Sequence, residues 1–354
     1  SNWNIVINNN TNLSSMFGNL PTGQDITSSD ADDVRNQILK DAINLYFEKQ
    51  QNINFTPFGP IENLNTSNIT SMNGLFNGKN FISSEDLSNW NTGNVTDMSS
   101  MFSLSNFNYP ISSWNVQKVT NFQNMFLNAT DFDINTNIGA MSYNIENDVI
   151  TFTDASDWTI NVSDLISKNN SSLNNMFKNV KLDNNSIKVA RDLWFRTDGT
   201  VRLFGDISEW KTENVTDMSD LFLNQQFNSS DYDLSSWNVR KVINFQNMFN
   251  GTEGFDIDTN IGAMSYSSGS SETLNFAEAS DWTINVSDVL SSDSTNLDNM
   301  FRTQLIPSDF IYSTRDLWFR SSGKVQLFGE LSEWKTVNAT DMSGLFTGRN
   351  FTDN

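Results

Sequence analysis

The hydrophobic residues of this chain recur in a pattern of about 25 residues that is marked by tryptophan. After Trp90 come Thr96, Met98, Met101 and Phe102, with mostly polar residues between them. The same order, with small changes such as Ile243 for the threonine, follows four other tryptophans: Trp114, Trp210, Trp237 and Trp334. Apolar residues three and four positions apart share one face of a helix, so the pattern predicts one short helical turn in each repeat.

The residues around each helical turn predict how it begins and what precedes it. Thr96 lies where its hydroxyl would cap the free backbone amides of the turn, and Asp97 adds a favourable negative charge there. Upstream, Trp114 and Val116 alternate with polar residues as in an extended strand. A strand followed by a helical turn in every repeat predicts an α/β repeat fold, a leucine-rich-repeat-like solenoid with short strands and helical turns.

The aromatic and methionine side chains of the repeats are expected to form the core. Burying one tryptophan contributes roughly 4–6 kcal/mol before the loss of conformational entropy is counted. We therefore expect these residues to lie in one continuous stack: Met98, Phe102, Trp114, Phe122, Phe126, Met218, Phe222, Trp237, Met342 and Phe346.

A longer repeat contains the short one. The segment around Trp158, from Ala155 to Val162, recurs almost unchanged around Trp282. Such self-similarity indicates stacked units that share one core along the chain. We expect one continuous array of three long copies: 1–131, a divergent copy with extra short repeats; 132–254; and 255–354, which is shorter than the others.

Each long copy carries an insertion that interrupts the short pattern. Residues 31–45 have apolar side chains at Val34, Ile38 and Ala42, which predicts an amphipathic helix. In the second copy Asp198-Gly199 follows Trp194 and precedes a second apolar run, an arrangement that favours a β-hairpin, and Trp318 opens the same segment in the third copy.

Composition excludes several classes of function. The chain has 354 residues and a net charge of −21, so it would repel nucleic acid. Cysteine and histidine are both absent, which excludes disulfides, imidazole or thiolate metal sites and histidine-dependent catalytic pairs, and no cofactor is expected. No apolar run reaches about 18 residues, the length that a membrane span needs, so we expect no membrane span.

The short theme Ile111-Ser-Ser-Trp114-Asn-Val116, followed by Thr120, Met125 and Phe126, resembles the bacterial surface protein repeat of mycoplasma-type lipoproteins. That family is grouped with the BspA-like leucine-rich-repeat surface proteins. The resemblance implies a leucine-rich-repeat-like solenoid, an extracellular cell-surface location and an adhesive or surface-layer role. It supplies no catalytic residues, because the family motif contains none. It covers 85–126, 206–249 and 330–346 best, and 3–17, 158–177 and 282–301 less closely.

Several side chains could contact a ligand. On the expected hairpins, Trp194 with Arg196 and Trp318 with Arg320 could stack on a sugar or a partner protein, although core packing of the tryptophans is the preferred interpretation. The acidic pairs Asp131/Asp133 and Asp256/Asp258 could bind calcium, but they lack the spaced ligands of a calcium loop and fit a solvated acidic surface better. Glycosylation is open at the sequons of Asn94, Asn128, Asn161, Asn214, Asn285 and Asn338.

The leading function hypothesis is a non-enzymatic extracellular surface protein with a structural, adhesive or filament-forming role. The alternative is a carbohydrate-binding module of a larger secreted protein. The most prominent aspartates recur in every copy, whereas a catalytic site normally occurs once, so no enzymatic activity is expected. Neither end of the array carries a recognisable cap, and the chain begins at Ser1 without an initiator methionine. We therefore expect a piece of a longer chain, or copies that associate head-to-tail, with a glycan or a host surface as a further possible partner.

Overall fold

The computed structural model describes residues 28–48, 60–82, 85–163, 171–227, 232–269, 271–292, 294–321, 323, 325–337 and 339–351. The chain divides into two compact units, Ser1–Val180 and Lys181–Asn354. The expected boundaries at 131 and 254 remain predictions. The weaker repeat expected at 3–17 lies outside the described residues.

Helices are few and mostly short in the described residues. They are α1 (Ser28–Glu48), α2 (Ile134–Asn137), α3 (Ser186–Arg196), α4 (Ile257–Asn260), α5 (Val286–Ser292) and α6 (Ile311–Arg320). Single 3₁₀ turns occur at Ile61–Asn63, Ile207–Glu209, Ser294–Leu297 and Leu331–Glu333. The helix expected over 31–45 is confirmed as α1, which buries Ile38, Ala42 and Tyr46.

Regular strands form two small antiparallel sheets of three strands each. The first holds β1 (Met141–Asn144), β2 (Val149–Phe152) and β3 (Thr159–Asn161), and the second holds β4 (Met264–Ser267), β5 (Thr273–Phe276) and β6 (Ala279–Asn285). Met141 pairs with Phe152 and Ile150 with Ile160, so the buried side chains share one face. These are equivalent elements of two long copies, one in each unit.

The short repeats are neither strands nor helices but rows of tight turns. In one of them the amide of Leu75 donates to the carbonyl of Met72, and the amide of Asn77 donates to that of Gly74. Alternate amides point away from the turn and donate to the next repeat: Met72 to Asp97, Gly74 to Ser99, Phe76 to Met101 and Gly78 to Ser103, at 2.8–2.9 Å. Four later repeats do the same, beginning at Met98, Phe122, Met218 and Phe245, except that the amide of Gly251 donates to the hydroxyl of Thr303.

Two residues of every turn repeat adopt left-handed backbone angles. The first series has φ between +55° and +67° and comprises Gly74, Ser100, Asn124, Asn175, Asp220, Asn247, Asn299 and Gly344. The second series lies four residues later and comprises Gly78, Leu104, Asn128, Asn179, Asn224, Gly251, Thr303 and Gly348. Glycine and asparagine tolerate this region best, which explains why they are so frequent in this chain.

Parallel aromatic rings from successive repeats form the centre of each unit. In the first unit Phe76, Phe102, Phe126 and Phe177 follow one another with centroids 5.3–5.4 Å apart. In the second unit Phe222, Phe249 and Phe301 follow at 5.4–5.5 Å, and Phe328 lies 5.7 Å from Phe301 with its ring tilted. The repeat spacing therefore sets both the hydrogen bonds and the ring contacts.

Burial differs between the last repeat and the earlier ones. Every residue of the expected core from Met98 to Trp237 is buried. Met342 is 47% exposed and Phe346 is half-buried, contrary to expectation. The physical reason is that each earlier methionine is covered by a following repeat, whereas no described residue covers Met342 in this way.

The predicted leucine-rich-repeat-like solenoid is wrong. In the described residues regular strands are confined to the two antiparallel sheets, and the short repeats contain only isolated parallel bridges such as that between Ser71 and Asp97. The predicted helical turn fails because its amides are directed to the next repeat and a left-handed residue interrupts it. Nor does Thr96 cap a helix: its amide and hydroxyl both donate to the carbonyl of Thr70.

The hairpin predicted after Trp194 is also wrong, since Trp194 lies in α3 and Trp318 in α6. Asp198 and Gly199, with φ of +47° and +68°, instead follow the C-terminus of α3. The amide of Gly199 donates to the carbonyl of Trp194 at 2.9 Å, which satisfies a helix-terminal carbonyl. An Asp-Gly pair with left-handed backbone angles can form a β-hairpin turn or end a helix. The dipeptide therefore did not distinguish the two structures.

Candidate functional site

The proposed Trp194 contact site is part of the hydrophobic core. Trp194 is only 4% exposed and meets Trp210 edge-to-face, with centroids 6.2 Å apart. The guanidinium of Arg202 lies over its ring at 5.6 Å, and Tyr232 packs on its edge. A ligand therefore has no access to the face of this ring.

The other three residues of that proposed site do not gather around Trp194. Arg196 is two positions further along α3, which places it on the opposite side of the helix, where it is exposed. Trp318 is half-buried in α6 and meets Phe319 edge-to-face, and Arg320 is the last residue of that helix. The alternative of core packing describes Trp194 better than ligand contact.

Most repeat tryptophans use their indole N–H to join neighbouring repeats. The Nε1 of Trp114 donates to the carbonyl of Leu87 at 2.9 Å, and that of Trp237 donates to the carbonyl of Ile207 at 2.8 Å. Trp90, Trp158 and Trp282 make the same kind of bond. Each of these tryptophans is thus buried with its one polar atom satisfied.

Four tryptophans next to the inserted helices differ. The buried Nε1 atoms of Trp194, Trp210, Trp318 and Trp334 have no hydrogen-bond partner among the described residues. In the first unit, Tyr46 occupies the position of Trp194, and its hydroxyl donates to Oε1 of Glu85 at 3.2 Å. Aromatic packing of these indoles therefore takes the place of the hydrogen bond between Tyr46 and Glu85. The same arrangement of tryptophans occurs in two copies, as a structural feature would.

The inserted helices hold the first turn repeat of each unit through one asparagine. Oδ1 of Asn36 in α1 accepts the amides of Thr70 and Ser71, and its Nδ2 donates to the hydroxyl of Thr70. Just before α3, Asn184 makes the same three bonds to Thr216 and Asp217, at 2.8–3.1 Å. This contact fixes the register between helix and repeat, and sequence analysis missed it.

The acidic pairs considered for calcium have structural roles at helix starts. Oδ1 of Asp133 accepts the amide of Thr136 at 2.7 Å, and Oδ1 of Asp256 accepts that of Thr259 at 2.9 Å. Burial, and then repulsion by the carboxylates of Asp256 and Asp309, raises the pKa of Asp258. No group of three or more acidic side chains in the described residues is arranged to hold a metal ion.

The aspartate that recurs in the repeats orders the turn that follows it. Oδ1 of Asp97 accepts the amide of Ser99 at 2.9 Å, and Asp217 and Asp341 accept the amides of Ser219 and Ser343. In the last repeat the amide and then the hydroxyl of Ser343 lower the pKa of Asp341. A carboxylate held by backbone amides in this way remains ionised and stabilises the turn.

Three of the sequon asparagines also join neighbouring repeats, and Asn128 does so by accepting from Nδ2 of Asn179. Nδ2 of Asn94 donates to the carbonyl of Ser67, and its Oδ1 accepts from Lys118 at 2.8 Å. Asn214 accepts from Lys241 in the second unit, and Asn338 lies outside the described residues. A glycan on Asn94 would be attached to Nδ2, the atom that donates to the carbonyl of Ser67.

An open groove of about 640 Å³ follows the β1–β2 hairpin. Its lining includes Tyr143, Ile145 and Glu146. The hydroxyl of Tyr143 donates to Oδ1 of Asp148 at 2.7 Å, so the ring is fixed by the hairpin itself. The groove is open and its lining is mostly polar, whereas a small-molecule site is normally concave and mostly apolar.

Residues 342–348 form the last turn repeat among the described residues, and we call its outer side the terminal edge. Its turn keeps the bonds of the earlier repeats, including that from Leu345 to Met342 at 3.1 Å. The outward amides of Met342, Gly344, Phe346 and Gly348 nevertheless have no acceptor among the described residues. The terminal edge therefore presents a row of amide donors beside exposed apolar side chains.

These features define a repeat protein in which helices hold stacked turn repeats. The chain belongs to a family described as Mycoplasma protein of unknown function, DUF285, whose sequence model matches residues 41–150 and 192–309. Each matched segment begins within an inserted helix and continues through several turn repeats of one unit, ending before the last of them. Comparisons with curated proteins and with solved structures gave no match. No helix in the described part of the chain is both long and apolar enough to cross a membrane.

Proposed function

We propose that the protein is a non-enzymatic, extracellular surface protein with a structural or adhesive role. The observation that carries this proposal is the recurrence of the same contacts from copy to copy. The carboxylates of Asp97, Asp217 and Asp341 each accept an amide two residues later. Side chains that serve the backbone identically in every repeat support a scaffold better than a catalyst.

Charge and family membership also support the proposal. A net charge of −21 favours solubility and weak non-specific adhesion to acidic surfaces, as a protein exposed to the medium requires. The family is one of Mycoplasma proteins, and the resemblance of the Trp114 repeat to BspA-like surface proteins would add the cell-surface location.

A carbohydrate-binding module is less well supported. Its main candidate, Trp194, is buried beneath Arg202 and Tyr232. A glycan or a host surface would therefore have to bind away from Trp194.

The location can be tested on intact cells of the source organism. Cells are treated with a broad-specificity protease, and the protein is followed by immunoblotting beside a cytoplasmic marker. We expect loss of the protein while the marker survives. Survival of both until the cells are lysed would contradict a surface location, and turnover of a substrate that is abolished by Asp258→Asn would contradict a non-enzymatic role.

A further inference from the structure

The sequence contains three Asn-Gly pairs, and all three lie in turn repeats: Asn73-Gly74, Asn77-Gly78 and Asn250-Gly251. An asparagine side chain that precedes glycine can react with the backbone, because glycine has no side chain to hinder the approach of its amide nitrogen. The reaction is deamidation, and water is its only other reactant. The reactivity of each asparagine therefore depends on what holds the amide of the glycine that follows it.

The two pairs of the first unit have their glycine amides in hydrogen bonds between repeats. The amide of Gly74 donates to the carbonyl of Ser99 at 2.9 Å, and that of Gly78 donates to the carbonyl of Ser103 at 2.8 Å. Ser99 and Ser103 are buried, and Nδ2 of Asn73 also donates to the carbonyl of Ser99 at 3.2 Å. Freeing either amide requires two repeats to separate, so the fold protects both pairs.

The glycine amide of the third pair is held by a side chain instead. The amide of Gly251 donates to the hydroxyl of Thr303 at 2.9 Å. Thr303 is exposed, and its φ of +75° lies in the left-handed region, which β-branched residues tolerate poorly. A change of rotamer at Thr303 is enough to release the amide of Gly251, while the contact between the repeats stays in place.

The side chain of Asn250 is held as weakly as the amide beside it. Its Nδ2 donates to Oδ1 of Asn247 at 3.4 Å, which is longer than most hydrogen bonds of this kind. The turn nevertheless needs its glycine: Gly251 has φ of +70°, and a Cβ there would lie 2.1 Å from Oδ1 of Asn224. The residue that the turn requires is therefore also the residue that makes Asn250 reactive.

We propose that Asn250 is a site of spontaneous deamidation in the folded protein. The amide nitrogen of Gly251 loses its proton and attacks Cγ of Asn250. The N–Cγ bond forms, the Cγ–Nδ2 bond breaks, and Nδ2 leaves as ammonia after taking up a proton. Water then opens the resulting succinimide ring at one of its two carbonyl carbons. Opening at Cγ gives aspartate, and opening at the main-chain carbonyl carbon gives isoaspartate.

The modification changes the contact between two repeats. Each product adds a negative charge to a chain whose net charge is already −21. The carbonyl of Asn250 accepts the amide of Asn224 at 3.0 Å. In isoaspartate that carbonyl becomes part of a free carboxylate and the main chain becomes longer by a carbon atom, which shifts the turn against its neighbour. This inference does not depend on the proposed surface role.

The test is to incubate the full 354-residue chain in heavy-oxygen water at constant pH and to locate the label by peptide mass spectrometry. Opening of the ring transfers a solvent oxygen to the product, so the label records only reactions that occur during the incubation. We expect the label to enter Asn250 about tenfold faster or more than Asn73 or Asn77, because only Asn250 can react without separation of repeats. In the chain unfolded by urea, the three pairs should react at similar rates.

Two variants of Thr303 test the role of its hydroxyl. Thr303→Val keeps the shape of the side chain and removes the acceptor, so labelling of Asn250 should become about threefold faster or more, without change at Asn73 or Asn77. Thr303→Ser keeps the hydroxyl and should retain the rate of the unchanged protein. Circular dichroism checks that each variant remains folded, and the comparison of the three pairs within the unchanged protein needs no variant.

Three results would overturn the proposal. The first is labelling of Asn73 or Asn77 as fast as that of Asn250 in the folded protein. The second is an unchanged rate at Asn250 in Thr303→Val. The third is the same preference for Asn250 in the unfolded chain, which would show that the local sequence selects this residue and that the fold does not.

Discussion

At the scale of single residues, the left-handed backbone positions explain the composition of this chain. The turn repeats need two such residues each, and glycine, asparagine, aspartate or serine occupies most of them. Leu104, with φ of +58°, and Thr303, with φ of +75°, are exceptions. A left-handed conformation costs an ordinary residue roughly 1–2 kcal/mol, so these two positions carry local strain.

Replacing Leu104 should show this strain directly. We expect Leu104→Asn to stabilise the protein by about 0.5–1 kcal/mol, since asparagine tolerates the left-handed region and already occupies the equivalent position at Asn128. The gain is smaller than the full strain because the side chain of Leu104, although 60% exposed, covers some apolar surface. Urea unfolding measures the difference. Leu104→Val, which adds β-branching, should lower the midpoint; a rise with valine would contradict this explanation.

At the scale of elements, the sequence predicted which residues are buried better than which structures hold them. The apolar spacing identified α1 and the core from Met98 to Trp237, because burial depends mainly on recurring side chains. The spacing did not distinguish a helical turn from a β-turn interrupted by a left-handed residue, since both bring residues four apart to one side.

The candidate ligand site failed for a related reason. In a hairpin strand the side chains of Trp194 and Arg196 would share one face, but in α3 they lie on opposite sides of the helix. The three-stranded sheets were missed because their strands are short, and β1 and β2 are joined by a loop without the Asn-Gly or Asp-Gly signal. Asn36 and Asn184 offered a faint signal, since each lies ten residues before the aromatic residue at Tyr46 or Trp194.

The contact between helix and repeat allows a sharp test at this scale. We expect Asn184→Ala to destabilise the second unit by about 1–2 kcal/mol, because it removes three hydrogen bonds to Thr216 and Asp217. Asn184→Asp keeps the acceptor for both amides and should cost less, although it places a carboxylate near that of Asp217. Thermal or urea unfolding, monitored by tryptophan fluorescence, ranks the stabilities of the unchanged protein and the two variants. Equal losses in the two variants would show that acceptance of the amides is not what Asn184 contributes.

At the scale of the whole molecule, the same construction occurs twice. Each unit has an inserted helix, a set of turn repeats with parallel phenylalanine rings, and a three-stranded sheet, and the DUF285 match covers one segment in each. A scaffold made by repetition adds contacts of one kind as it lengthens.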